Sequence, residues 1–263
     1  SVSFLEEWSN ENMRKNIAVV ILAAGLGTRM KSDKAKVLHE VAERPMILYV
    51  VEAARKVAGD DVIVVVGHQA QKVREIISET AQLHFADQEQ QLGTAHAVMC
   101  AMPLIPDHCD EVVILYGDVP LILPETISGL VEDQAACYRD ISLLAVELKN
   151  PYGYGRVLLD DNHEVSGIVE EKDATDKQRK IGLINTGIYC IKKQYLQTAL
   201  PKIQSNNVQK ELYLTDIMAI GYNENKKTGV MVAADYQQIL GVNSCQDLEA
   251  VDKIMKKRMR NIS

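Results

Sequence analysis

The sequence predicts an α/β fold: a Rossmann-like, doubly wound, mixed but mostly parallel sheet with a β-rich lobe added in its second half. Three observations carry this. Short apolar runs rich in β-branched residues alternate with segments of helical periodicity, which is the signature of parallel strands covered on both faces. A Gly-rich loop follows the first of these runs directly. From residue 141 onward the pattern changes to closely spaced strands joined by short polar turns.

Taken in order, residues 17–23 (IAVVILA) read as a buried parallel strand, followed by the loop at 24–31. Pro45 stands where a helix would start, residues 47–57 are apolar at helical spacing, and Gly59 is placed to end that helix. Residues 61–66 (DVIVVV) are a second buried strand, 70–80 a helix, 83–86 a short strand, 94–101 a helix and 112–116 (VVILY) a third buried strand. Strands are expected at 141–148, 156–159, 165–170 and 183–191, helices at 195–203 and 213–221, a late strand at 229–233 and a closing helix at 245–260. With no Pro/Ser-rich linker and no internal repeat, one domain over residues 16–245 is expected, preceded by a polar extension at 1–15 and followed by a C-terminal helix at 246–263.

The chain has 263 residues, 47% of them hydrophobic, enough for a large core. Its net charge of −7 repels polyanions in general, so neither nucleic acid nor an anionic membrane is expected as a partner. No stretch reaches the roughly 18–20 apolar residues that span a bilayer. Five cysteines, with no CxxC pair, predict reduced thiols in a cytoplasmic protein and no structural zinc site. The six histidines show no paired ligand spacing.

The loop LAAGLGTRM at residues 22–30 is open to three chemical readings. A dinucleotide fingerprint would need a third glycine where Met30 stands. A P-loop would need a glycine at the same place, before Lys31 and Ser32. A triphosphate clamp, with Leu22, Ala23, Ala24 and Gly25 bringing backbone N–H groups close to phosphate and Arg29 as the cation, uses every residue as it is. Lys36 would add a second cation. Asp118, at the carboxyl end of the third strand, faces the crevice where such sheets bind ligands and suits a hard divalent ion. Tyr116 and Gly117 beside it let a nucleotide lie against the backbone. Gln88 and the backbone of Gly93 and Thr94 can match the acceptor–donor–acceptor edge of uracil. Thr94 could equally be a plain helix cap.

Together LAAGLGTRM and the Lys36-Val37-Leu38 element resemble the signature of the sugar-nucleotide pyrophosphorylases. The segment QEQQLGTAHA at 88–97 is similar to the base-binding segment of their uridyltransferases. The chain departs from that family at Ala35, where a proline usually precedes the lysine. The resemblance implies the nucleotide-diphospho-sugar transferase fold and sugar-binding positions at Gly155, Glu170, Asn185 and Asn243. It implies Mg²⁺ held by Asp118 and Asn243, and catalytic roles for Arg29, Lys36 and Asp118. It further implies UTP and N-acetylglucosamine-1-phosphate as substrates, in cell-envelope precursor synthesis. Taken together the motifs most resemble the uridyltransferase half of the bacterial bifunctional uridyltransferase/acetyltransferases, which continue into a left-handed β-helix of hexapeptide repeats. No such repeats occur here, so no acetyltransfer is expected and the oligomeric state is left open. Nucleotidyl transfer to another sugar phosphate and a catalytically silent binding module remain as alternatives; a dinucleotide oxidoreductase is disfavoured by the missing third glycine.

Overall fold

The computed structural model describes residues 16–30, 32–207 and 209–262, so the N-terminal extension expected at 1–15 lies outside the described residues. Strand β1 (Ile17–Leu22) is buried at every position, as its unbroken apolar run requires. It lies between two parallel neighbours, β4 (Val62–Val66) and β6 (Glu111–Tyr116), with β5 (His84–Asp87) parallel beyond β4. Successive residues of β1 feed opposite faces of the sheet. Val19 and Ile21 pack with helices α1 (Met46–Ala58), α2 (Ala70–Ser78) and α4 (Pro124–Ala136) on one side. Ala18 and Val20 pack with α3 (Thr94–Ala101), α5 (Lys193–Ala199) and α6 (Asp216–Asn223) on the other. The predicted doubly wound core is therefore present.

The second half extends the same sheet. Strand β10 (Leu183–Lys192) runs antiparallel to β6 and to β7 (Ile141–Glu147), and β11 (Thr228–Val232) is parallel to β7 at the edge. The order β11-β7-β10-β6-β1-β4-β5 is joined by a hairpin of β8 (Arg156–Leu159) and β9 (Val165–Val169) standing on β10. The β-rich lobe is this hairpin together with the first half of β10. A register shift between Asn185 and Tyr189 bends β10 there, and Gly187 has φ +80°.

Three details differ from the sequence-based expectation. The helix expected at 213–221 begins only at Asp216, because the preceding residues are tied to the segment that starts α3. Leu212 N–H donates to Leu92 O at 2.7 Å, Leu212 O accepts from Ala95 N–H at 2.9 Å, and Leu214 N–H donates to the Thr94 hydroxyl. A small hairpin, β2 (Glu40–Val41) with β3 (Arg44–Pro45), turns through Ala42 and Glu43 at positive φ; it was not anticipated, nor was α4. The closing helix α7 (Cys245–Ile262) seats Val251 and Met255 against Met30, Val41, Met46 and Leu121, a small third core beneath the Gly-rich loop.

Candidate active site

The strand order reverses between β1 and β6, and ligand crevices in such sheets form at the carboxyl ends of the strands at that point. Leu22 and Tyr116 are register partners there. Immediately beyond them a cavity of about 370 Å³ opens, lined by the Gly-rich loop, Lys36, Gln88, Thr94, Tyr116 and Asp118 among others. A larger cavity of about 770 Å³ lies at the opposite edge, between the start of β1 and helices α1 and α4. It contains none of the predicted site residues.

The loop leaves β1 with Ala23 and Ala24 buried and Gly25 open to solvent, where an added Cβ would meet nothing. Gly27 has φ +63°, and a Cβ there would stand 2.7 Å from the Lys36 Cβ. A side chain at position 27 would thus push Lys36 away. The turn Thr28–Met30 then aims Arg29 outward while Met30 anchors it in the small third core.

Four predicted residues converge. The Lys36 ammonium donates to Asp118 Oδ2 in a short contact and to Asn243 Oδ1 at 3.2 Å. Arg29 Nη2 donates to the same Asn243 oxygen at 2.8 Å. Asn243 reaches this point because Val242 N–H donates to the Asp118 carbonyl at 2.9 Å. Asp247, in the first turn of α7, accepts from Asn243 N–H and Ser244 N–H, fixing the turn. A carboxylate oxygen and an amide oxygen therefore share one cation, Lys36, across 125 residues of sequence. Both are hard oxygen donors, the set that a magnesium-like ion accepts.

The departure at Ala35 proves structurally mild. Ala35 has φ −52° and ψ 134°, a conformation proline would also adopt. The N–H that a proline would lack donates to Gln69 Oε1 at 3.2 Å, and Gln69 Nε2 donates to Asp33 O. Gln69, itself at φ +53°, ties the Lys36 segment to the turn after β4.

On the other side of the cavity, buried Gln88 is held by its own amide: Nε2 donates to Gly93 O at 3.0 Å and lies 3.1 Å from His96 Nδ1. Gly93 sits at φ +117°, and a Cβ there would run into the Leu212 backbone. Thr94 is the first residue of α3, and its hydroxyl accepts from Leu214 N–H rather than capping its own helix. Burial holds the Tyr116 phenol far above its ordinary pKa, with the Asp118 and Glu170 charges adding to the shift. Gly117 faces Val37 and Ala23, where a Cβ would come within 3.2 Å and 3.3 Å.

Tyr116 also links the two halves, since a Cβ on Gly187 would be 2.6 Å from its ring. Gly155 O accepts from Asn185 N–H at 2.9 Å, and a Cβ at Gly155 would meet Glu170 Oε1 at 3.1 Å, so these three residues form one group. Burial raises the Glu170 pKa, reinforced by Asp173 and Asp216 and opposed by Arg156. A polar cleft of about 230 Å³ beside it is lined by Glu170, Asp173, Tyr213 and Asp216. The predicted loop residues Leu22, Ala23, Ala24 and Gly25, with Lys36, Gln88, Gly93, Thr94, Tyr116 and Asp118, line the first cavity. Arg29 and Asn243 join it through Lys36, and Glu170 lines the second cleft, with Gly155 and Asn185 beside it.

A profile of the MobA-like NTP transferase domain matches residues 19–180. The chain belongs to that family. The chain is also similar to the bifunctional protein GlmU of Geotalea daltonii, 42% identical over 92% of this chain and 53% of that protein's length, and to that of Caldicellulosiruptor saccharolyticus, 43% identical over 94% and 53%. The GlmU of Desulfotalea psychrophila is 42% identical over 92% of this chain and 71% of its own length. The chain spans about half the length of most of these relatives. The fold is shared with a Bacillus anthracis protein assigned as a glucose-1-phosphate thymidylyltransferase and solved with sucrose, at TM-score 0.71, 18% identity and coverage of 90% and 94% of the two chains. HddC of Yersinia pseudotuberculosis, complexed with GMP-PN, has TM-score 0.67 at 19% identity, covering 90% and 99%.

As a MobA-like NTP transferase the chain carries its loop, Lys36 and Asp118 inside the matched stretch; Asn185 and Asn243 fall beyond it, on β10 and before α7. Six cavity-lining residues had no assigned role: Leu26, Gly27, Val37, Gln91, Ala97 and Glu211. Gln91 Nε2 approaches Ala24 O at 3.5 Å, so it braces the Gly-rich loop. All six but Glu211 lie inside the motifs at 22–30, 36–38 and 88–97, so their segments were legible although their roles were not. Among the described residues no helix is long and apolar enough to cross a membrane.

Proposed function

We propose that this chain transfers the uridylyl group of UTP to N-acetylglucosamine-1-phosphate, forming UDP-N-acetylglucosamine and pyrophosphate. The observation that carries this reading is the convergence of Arg29, Lys36, Asp118 and Asn243 at the mouth of a nucleotide-sized crevice. The relatives named GlmU support the choice of sugar and base. An oxygen of the sugar phosphate attacks the α-phosphorus of UTP. The bond from that phosphorus to the bridging oxygen breaks, and pyrophosphate leaves with the electron pair. The attacking phosphate is already ionised, so no general base is needed, and two anions must be brought together by positioning and charge neutralisation.

Asp118 and Asn243 would hold the ion, Mg²⁺ in this reading, which supplies charge neutralisation at the phosphates when bound. The Leu22–Gly25 backbone cradles the triphosphate, and Arg29 holds its departing end. Lys36 leaves its carboxylate partner and stabilises the charge that grows at the α-phosphoryl group. Gln88 with the Gly93-Thr94 backbone reads uracil. Gly155, Glu170 and Asn185 read the sugar, with Asn243 at its phosphate end. The same reading places the enzyme in the cytoplasm and in cell-envelope precursor synthesis.

Pyrophosphate release with UTP, Mg²⁺ and a panel of sugar-1-phosphates tests it. N-acetylglucosamine-1-phosphate should exceed glucose-1-phosphate by at least about tenfold in kcat/KM, the worth of about 1.4 kcal/mol, or roughly one acetamide contact. Equal rates would overturn the sugar assignment; no pyrophosphate with any sugar phosphate would overturn the reaction.

A further inference from the structure

At the amino edge of the sheet, opposite the crevice, a second set of donors meets. Asp61 precedes β4, while His108 and Cys109 precede β6, so the two segments flank the start of β1 on either side. One ligand atom from each of the three lies within 4.8 Å of the other two. His108 Nε2 is already 2.8 Å from Asp61 Oδ2. Cys109 is buried at 1% exposure, whereas the His108 side chain is 55% exposed and that of Asp61 24%. The cluster therefore has a buried sulfur floor and a solvent-facing rim.

We propose that Asp61, His108 and Cys109 form a binding site for a thiophilic d¹⁰ divalent cation of the zinc class, with a water molecule as fourth ligand. Sulfur and imidazole favour such an ion and are poor ligands for magnesium, which takes oxygen. Zinc bonds of about 2.0–2.3 Å in tetrahedral arrangement separate ligand atoms by roughly 3.3–3.8 Å. The observed spacing reaches this by opening the His–Asp contact about half an ångström and drawing the sulfur in by up to about one. Binding displaces the thiol proton to solvent and leaves the ion coordinated by thiolate, imidazole and carboxylate.

The position gives the site a structural consequence. Asp61 O accepts from Val19 N–H, and Asn16 O accepts from Asp110 N–H and Glu111 N–H. An ion joining Asp61 to His108 and Cys109 would staple the entry turns of β4 and β6 across β1. The spacing of 47 residues between Asp61 and His108 is why no linear motif announces it. This inference is independent of the nucleotidyl-transfer reading, since it concerns the other edge of the sheet and its test does not use turnover.

The test uses the metal-stripped whole chain carrying Cys245→Ser, to remove an exposed thiol, in excess Mg²⁺ to engage oxygen-donor sites. Titration with Co²⁺ should show a thiolate-to-cobalt charge-transfer band in the near ultraviolet and the intense visible bands of four-coordinate cobalt, saturating at one ion per chain. Zn²⁺ should abolish both and raise the melting temperature. His108→Ala, an exposed position, should leave the metal-free melting temperature unchanged. It should weaken Co²⁺ binding by at least about tenfold, since even outer-shell partners of a metal are worth about 10–100-fold, and should cancel the zinc-induced rise. Cys109→Ser should remove the charge-transfer band. Absence of a thiolate band in the parent overturns the proposal. So does a band that survives His108→Ala but disappears with His96→Ala, which would assign it to the His96–Cys100 pair one helical turn apart.

Discussion

Lys36 occupies the point between Asp118 and Asn243 where a bound ion would also have to sit, and this has a measurable consequence. Two cations cannot share that point at low cost. Lys36→Met should therefore tighten Mn²⁺ binding to the nucleotide-free chain several-fold by electron paramagnetic resonance, while cutting turnover by roughly 10²–10³. Arg29→Ala should cost turnover comparably, as it removes one charge contact to the leaving group. Asp118→Ala should abolish Mn²⁺ binding, and Asn243→Ala should weaken it, because a neutral amide oxygen is the poorer ligand. Unchanged Mn²⁺ affinity in both Asp118→Ala and Asn243→Ala would remove the ion from this place. Glu170 supplies the pH dependence. Burial holds its proton on, so its folded pKa stands above the ordinary carboxylate value. If Glu170 reads the sugar as proposed, the carboxylate acceptor is lost as pH falls through that raised value, and KM for the sugar phosphate should climb on the acid side. Glu170→Gln should flatten that limb; the same climb in the variant would assign it to another group.

At the scale of elements, the segment from Asp33 to Leu38 depends on a side chain from another loop. Gln69 closes it by accepting from Ala35 N–H and donating to Asp33 O. Gln69→Ala should lower kcat about tenfold or more through misplacement of Lys36. Ala35 already has a proline-compatible φ, so Ala35→Pro should restore much of that loss in the Gln69→Ala background by pre-setting the backbone without needing an acceptor. A double variant no better than Gln69→Ala would show that the glutamine serves stability alone. The sequence exposed the residues of this element and hid the tie: Ala35 stands out as an irregularity, yet the partner that compensates for it is 34 residues away. Helix α4 was missed for a different reason. Its start signal, Pro124 at the first helical turn, was there to be read, but with four buried residues its apolar stripe is thin.

For the molecule as a whole, α7 stands in for a clamp on the site. Val251 and Met255 bind it to the core beneath the Gly-rich loop, and Asp247 at its start fixes the turn of Asn243. Val251→Asp buries an unpaired carboxylate and should cost roughly 2–4 kcal/mol of stability, read as a lower urea midpoint. It should also raise the Mg²⁺ concentration required for half-maximal turnover, whereas Lys253→Ala on the exposed face should change neither. A destabilised Val251→Asp protein with an unaltered Mg²⁺ requirement would uncouple the helix from the site. What the sequence by itself determined was the doubly wound core, the strand-end loop and the residue types of the site. Those follow from local periodicity and from chemistry that needs particular side chains near particular strand ends. What only the tertiary structure decided was the antiparallel insertion of β10 with its bend at Gly187, the tie of residues 212–214 to the start of α3, the Gln69 tie and the contact of Lys36 with both Asp118 and Asn243. Each is a contact between distant segments, and its free energy depends on which surfaces the folded sheet brings together, so no local pattern encodes it.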